Sequence, residues 1–162
     1  MTVSDTVRRL IGQYRLEPHP EGGWFREFYR SASSVGTPAG YPGERSALTA
    51  IHFLLTEGDF SAFHRVRSDE VWMYMAGDPL EIVLLGGETA SVTIGPPDTG
   101  FEPLTVVPAD TLQGAHTLGK FTLVSCLVAP GFDFADFVLP DREQLLGEWP
   151  EQGDLVRRFT RA

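Results

Sequence analysis

The sequence predicts an all-β barrel or sandwich with helical ends, and three observations predict it. First, short runs rich in β-branched and aromatic residues recur from Leu48 onward: Leu48–Leu55, Ala62–Val66, Glu70–Met75, Leu80–Leu85, Ala90–Ile94, Leu104–Val107, Leu112–His116 and Phe121–Val128. Second, turn formers separate most of them, among them Glu57-Gly58-Asp59, Ala76-Gly77-Asp78-Pro79, Gly86-Gly87 and Gly95-Pro96-Pro97. Strands this short and this closely spaced build sandwiches or barrels rather than βαβ units. Third, helical signals are confined to the two ends.

At the start, Ser4 and Asp5 precede Val7, Leu10 and Ile11, the pattern of a capped amphipathic helix that ends near Gly12. The stretch Glu17–Gly23 is too rich in Pro and Gly for either regular element. Trp24–Tyr29 is aromatic and strand-like, and Ser31–Gly43 reads as a loop at a barrel mouth. In the tail, Pro140-Asp141 opens a helix over Arg142–Leu146, and Asp154 precedes a second over Leu155–Phe159.

Composition excludes several classes of function. The chain has 162 residues and a formal net charge of −9 with a single lysine, Lys120, so it lacks the clustered cations that bind nucleic acid. No apolar run approaches the length of a membrane-spanning helix, and no basic-then-apolar leader is visible, so a cytoplasmic protein without membrane or nucleic-acid partners is expected. The one cysteine, Cys126, lies in an apolar run and is expected to be a buried thiol.

The segment from Gly58 to Gly77 carries the most specific signal. It reads Gly58, five residues, His64, one residue, Val66, three residues, Glu70, six residues, Gly77. This resembles the first motif of the cupin superfamily, Gly-x5-His-x-His-x3–4-Glu-x6-Gly, with Val66 in place of the second His. About forty residues on, Pro108-Ala109-Asp110-Thr111-Leu112-Gln113 resembles the second motif, Pro-x-Gly-x-x-His, with Asp110 for Gly and Gln113 for the third His.

Further stretches resemble the fifth cupin family, a domain of unknown function: Leu16–Glu27 with His19-Pro20-Glu21-Gly22-Gly23, Thr49–Leu55, Phe63–Arg65, Ser68–Trp72, Ala76–Leu80 and Val128–Phe132. The resemblance implies a single cupin domain over 1–162 with a jelly-roll barrel core at about 24–139. It also implies a barrel shaped like that of the metal-free sugar-nucleotide epimerases, and a homodimer. It implies no particular reaction.

Residue chemistry supplies the candidate site. Alternate residues of a barrel strand face inward, so His64 shares a face with Val66, and Glu70 shares one with Trp72 and Tyr74. An imidazole and a carboxylate from adjacent strands then converge inside the barrel. Two imidazoles more would make an iron, manganese or nickel site. With only His64, Glu70 and Gln113 as ligands, no cofactor is firmly expected beyond a weakly bound divalent metal.

Three functions stay open. One is a metal-independent epimerase or isomerase of a sugar or nucleotide-sugar-like molecule, with His64 as base, Glu70 orienting it, Tyr74 a candidate acid and Gln113 a substrate partner. The others are a metal-dependent dioxygenase or isomerase, and a ligand-binding module without chemistry. Trp72 is either a wall of the pocket or core packing, and Tyr74 either an acid or a core aromatic. His52 faces the cavity if Ile51 and Phe53 face outward. Arg26 and Arg45 are candidate anion clamps, against the commoner fate of ion pairing. The His19–Gly23 run is either a lid or a simple redirection of the chain.

Overall fold

Side chains of a strand point alternately to its two faces, and the strands form two antiparallel sheets with apolar faces opposed. The computed structural model describes residues 5–162; Ser4, the expected helix cap, lies outside the described residues. The strands are β1 (Glu17–Pro18), β2 (Trp24–Arg30), β3 (Thr49–Thr56), β4 (Ser61–Val66), β5 (Asp69–Gly77), β6 (Leu80–Leu85), β7 (Ala90–Ile94), β8 (Leu104–Val107), β9 (Leu112–Thr117), β10 (Phe121–Ala129) and β11 (Phe137–Val138). One sheet has the order β1-β2-β3-β10-β5-β8 and the other β11-β4-β9-β6-β7. Together they form a jelly-roll barrel with helices at both ends of the chain.

The strands expected from sequence are present within one or two residues at each end. Two are additional. Glu17–Pro18 pairs with Phe25 and Trp24 of β2, although its Pro content argues against a strand; Pro is tolerated because β1 is an edge. Phe137 and Val138 pair with Val66 and Arg65 and so close the five-stranded sheet at β4.

Three apolar clusters hold the layers. Inside the barrel, Phe53, Trp72, Ile82, Val107 and Val124 pack between the sheets. On the outside of the six-stranded sheet, α1 (Asp5–Tyr14) sets Val7 against Leu54 and Leu123. On the outside of the five-stranded sheet, α2 (Arg142–Glu148) and α3 (Gly153–Arg158) lay Leu145 and Val156 over Phe63, Val83 and Leu112. The expected Asp141 cap is made, its carboxylate accepting from the Gln144 amide at 2.8 Å. Asp154, expected ahead of the last helix, instead lies in its first turn.

The 31–43 loop is tied at several points: Ser34 bridges Ser46, and the Tyr41 hydroxyl lies 2.9 Å from Ser68 Oγ. The run before β2 is more tightly built still. Gly22 and Gly23 have φ of +111° and +73°, a region that L side chains rarely adopt. A Cβ on Gly23 would lie 2.8 Å from both the Leu54 carbonyl oxygen and Leu55 Cδ2, and one on Gly22 would overlap the Phe60 carbonyl and the Arg161 guanidinium. Gly12, by contrast, is helical with open space around it. In denaturant unfolding, Gly23→Ala is expected to lose about 1–3 kcal/mol of stability. Gly12→Ala is expected to gain about 0.5–1 kcal/mol.

Candidate functional site

The barrel interior is apolar at one end and opens at the other into a cavity of about 260 Å³. The ionisable groups deepest in it come from three places. His64 projects inward from β4, and Glu70 from the start of β5. His19 and Glu21 come from the loop between β1 and β2. His64, Glu70 and Glu21 are all buried.

The Glu21 loop is fixed from behind. The Glu21 carbonyl oxygen accepts from the Ala62 amide at 2.8 Å and from Arg161 Nη1 at 2.6 Å, while the Gly23 amide donates to Asp59. Arg161 also donates to Asp59 Oδ1 at 2.7 Å, so one guanidinium joins this loop to the β3–β4 turn. In front, Ser61 Oγ donates to Glu21 Oε1 at 2.8 Å, and Glu21 Oε2 lies 3.3 Å from His64 Nδ1 and 3.6 Å from His19 Nδ1.

These contacts assign the imidazole protons. His64 Nδ1 lies 2.8 Å from the Ala62 carbonyl, which accepts only, so Nδ1 carries the proton and Nε2 keeps its lone pair. His19 Nδ1 accepts from the Glu21 amide at 3.2 Å, which places the proton of neutral His19 on Nε2. Burial lowers both imidazoles, and the His64 ring adds to the effect on His19, which falls to about 4. Glu70 works against burial at His64 by favouring its charged form.

The carboxyl groups shift the other way. Burial raises Glu21 to about 8, despite the opposing Ser61 hydrogen bond and Arg161 charge. Burial raises Glu70 to about 7, with His64 opposing and Glu21 reinforcing. Cys126 faces the same cavity as a buried thiol whose ionisation is pushed well up by burial and by the charge of Glu70. At neutral pH the site is therefore a set of uncharged or half-ionised groups rather than a fixed ion pair.

Gln113 and Trp72 stand behind Glu70. Gln113 Nε2 donates to Glu70 Oε2 at 2.6 Å, and its Oε1 accepts from Trp72 Nε1 at 3.0 Å. The expected substrate contacts are thus replaced: both ends of the Gln113 amide are engaged, and Trp72 is core packing that orients it. Neither side chain lines the cavity.

Four other expectations are corrected by position. The Tyr74 hydroxyl donates to the Gly77 carbonyl at 2.7 Å, away from the cavity, so it is not placed as an acid. Ile51 and Phe53 face inward, and His52 therefore faces outward, stacked on Phe28 at 4.2 Å and tilted against Tyr14 of α1. Arg26 is exposed and pairs in register with His52, on that same outer side. Arg45 is buried and bidentate to Asp136, at 2.7 and 2.9 Å, as an internal ion pair rather than an anion clamp.

His19 and Glu21 were the residues that spacing did not single out for the site. Their only local signal is a His and a Glu one residue apart before a Gly-Gly pair, and a tertiary contact with β4 gives it meaning. Aromatic rings complete the walls: Phe25 and Phe137 pack edge-on to His19 at 4.4 and 5.9 Å, and Phe134 stacks at 6.4 Å.

The donor set fits a tightly held transition metal poorly. His64 offers one free imidazole nitrogen, Val66 offers none, and the Gln113 amide is already bonded at both ends. Among the described residues no three His, Cys, Asp or Glu side chains are placed to hold a metal ion together.

An antiparallel jelly-roll barrel with a His–Glu pair pointing into its open end is the architecture of a cupin. The chain matches the family model described as Cupin superfamily (DUF985) over residues 8–140, and it belongs to that family. A hypothetical protein from Leishmania major is similar in structure, with a TM-score of 0.88 and 31% identity, covering 96% of this chain and 98% of that one. A protein of Shewanella oneidensis, solved by X-ray crystallography, has a TM-score of 0.86 and 34% identity, with 99% of both chains covered. The oxalate decarboxylase of Lactobacillus farciminis shares the fold alone, with a TM-score of 0.55 and 13% identity over 92% of this chain and 42% of that one. No curated protein matches the chain. No helix among the described residues is long and apolar enough to cross a membrane.

The carboxyl shifts make stability depend on pH in a set direction. Glu21 and Glu70 are raised in the folded state, so their contribution is fully present below their ordinary value of 4.5 and is lost as pH rises through about 7 and 8. His19 is lowered to about 4, so its contribution is present above 6.5 and is lost as pH falls toward 4. Thermal midpoints are expected to fall as pH rises from about 6.5 to 8. Glu21→Gln should flatten the upper part of that decline.

Proposed function

We propose that this cupin holds a small polar molecule of sugar size or less in its barrel cavity and moves a proton on it without a metal, as an isomerase or epimerase does. The observation that carries the reading is the His64 tautomer. With Nδ1–H held by the Ala62 carbonyl, Nε2 of this buried ring is a neutral base at a cavity shared with a titratable carboxyl. In the step proposed, a C–H bond next to a substrate carbonyl breaks and its proton passes to His64 Nε2. The electron pair moves onto the carbonyl oxygen as an enolate.

The returning proton has a source in the cavity. Glu21 is protonated at neutral pH because burial raises it to about 8, and it takes the role of acid that Tyr74 is not placed to fill. Glu70, held by Gln113, sets the charge beside His64. At about 260 Å³ the cavity is below the roughly 300–1,000 Å³ range of drug-sized sites, which favours a bare sugar over a nucleotide-sugar. The homodimer that the family resemblance implies is supported by an exposed apolar set, Met75 on β5 with Leu104 and Val106 on β8.

The test is solvent-deuterium incorporation into a panel of aldoses, ketoses and amino sugars, read by mass spectrometry. Wild-type protein is expected to label the carbon next to the carbonyl of at least one of them. His64→Asn, folded by circular dichroism, is expected to lower that rate by about 100-fold or more. Equal labelling by the variant overturns the role of His64. Ligand binding without labelling makes the protein a binding module rather than an enzyme.

A further inference from the structure

The ionisable groups facing the cavity are mostly acidic. Glu21 and Glu70 line its inner part, and Glu27, Asp133 and Arg30 line it from β2 and from the segment after β10. The one guanidinium is already committed. Arg30 Nε and Nη2 donate to the two oxygens of Glu27, both at 2.8 Å, and Nη2 also reaches the Phe132 carbonyl at 2.9 Å.

The nearby arginines offer no substitute. Arg45 is bidentate to Asp136, and Arg67 Nε lies 3.5 Å from the same carboxylate. Arg161 grips the Glu21 loop through its carbonyl oxygen and leaves the side-chain carboxyl to the cavity. An anion entering the barrel would meet four acidic side chains and only a guanidinium already shared with Glu27. Desolvating it there is unfavourable.

A cation meets the reverse. The electron-rich faces of aromatic rings attract positive charge, and Phe25, Phe134 and Phe137 line the same space. His19 and His64 are held uncharged by burial and do not repel it. Glu70 keeps acceptor capacity beyond the bonds from Gln113 and the Cys126 thiol, since its two oxygens offer about four lone-pair sites to an ammonium.

We propose that the cavity selects small protonated amines, an amino-substituted polyol for example, with the ammonium seated against Glu70 and Glu21 and the phenyl rings around it. The proposal rests on the small-molecule reading above and names the ligand class of that same site. Seating the cation draws Glu70 to its charged form and releases a proton to solvent.

Three two-carbon probes that share a hydroxymethyl end and carry an ammonium, a hydroxyl or a carboxylate at the other test it: ethanolamine, ethylene glycol and sodium glycolate, at equal concentration and matched ionic strength near neutral pH. Ethanolamine is expected to raise the thermal midpoint of the whole protein by about 3 °C, and the other two by less than about 1 °C. Glu70→Gln and Glu21→Gln are each expected to remove at least half of the ethanolamine shift. The wild-type series stands by itself if either variant fails to fold. A glycolate shift as large as that of ethanolamine, no ethanolamine shift, or one unchanged in both folded variants overturns the proposal. The deuterium experiment fails separately: amine preference without labelling removes proton transfer and keeps the ligand class, and labelling of neutral sugars without amine preference does the opposite.

Discussion

The Glu21 carbonyl oxygen is the point on which the site depends. It accepts from the Ala62 amide on β4 and from Arg161, and these two bonds place the loop across the open end of the barrel. Because Ala62 also offers its carbonyl to His64, one residue of β4 fixes both the loop and the ring beside it. The positive φ of Gly22 and Gly23 is what lets the loop lie close enough to do so. Without that approach His19 and Glu21 would sit in water as ordinary titratable groups.

Burial then decides what the groups are. His19, Glu21, His64 and Glu70 share a space where the one lining guanidinium among the described residues, Arg30, is already paired with Glu27, and burial shifts each of the four toward its neutral form. Neutral imidazole and protonated carboxyl thus coexist near pH 7, set by environment rather than residue type. The same condition explains the engaged Gln113: a buried carboxyl needs a donor, and an amide supplies one without adding charge.

The barrel was legible because short β-rich runs and Gly/Pro turns are local signals, and most of the strands from β3 to β10 are set off by both. His64 and Glu70 were legible because they stand at the His and Glu positions of the first cupin motif, and the structure aims both into the cavity from β4 and β5, consecutive strands in opposite sheets. The phase of β3 was not: Ile51 and Phe53 fit either face, and only the packing of α1 and Phe28 around His52 shows which is inside. Tyr74 alternates correctly with Glu70 but lies too far along β5, where its hydroxyl finds the Gly77 carbonyl. His19, Glu21, Arg45 and Arg161 act through partners distant in sequence, and no local pattern encodes such contacts.

The clamp between Arg161 and Glu21 joins residues 140 apart in the chain. A ribosome delivers the loop early and the guanidinium late. During synthesis the β-strands can pair while the loop is still unfastened, its His and Glu solvated and ordinary in their titration. Their shifted titration is thus acquired late, when the arginine arrives and the polar groups are shut away from water. In this protein the chemistry of the site matures after the architecture that houses it.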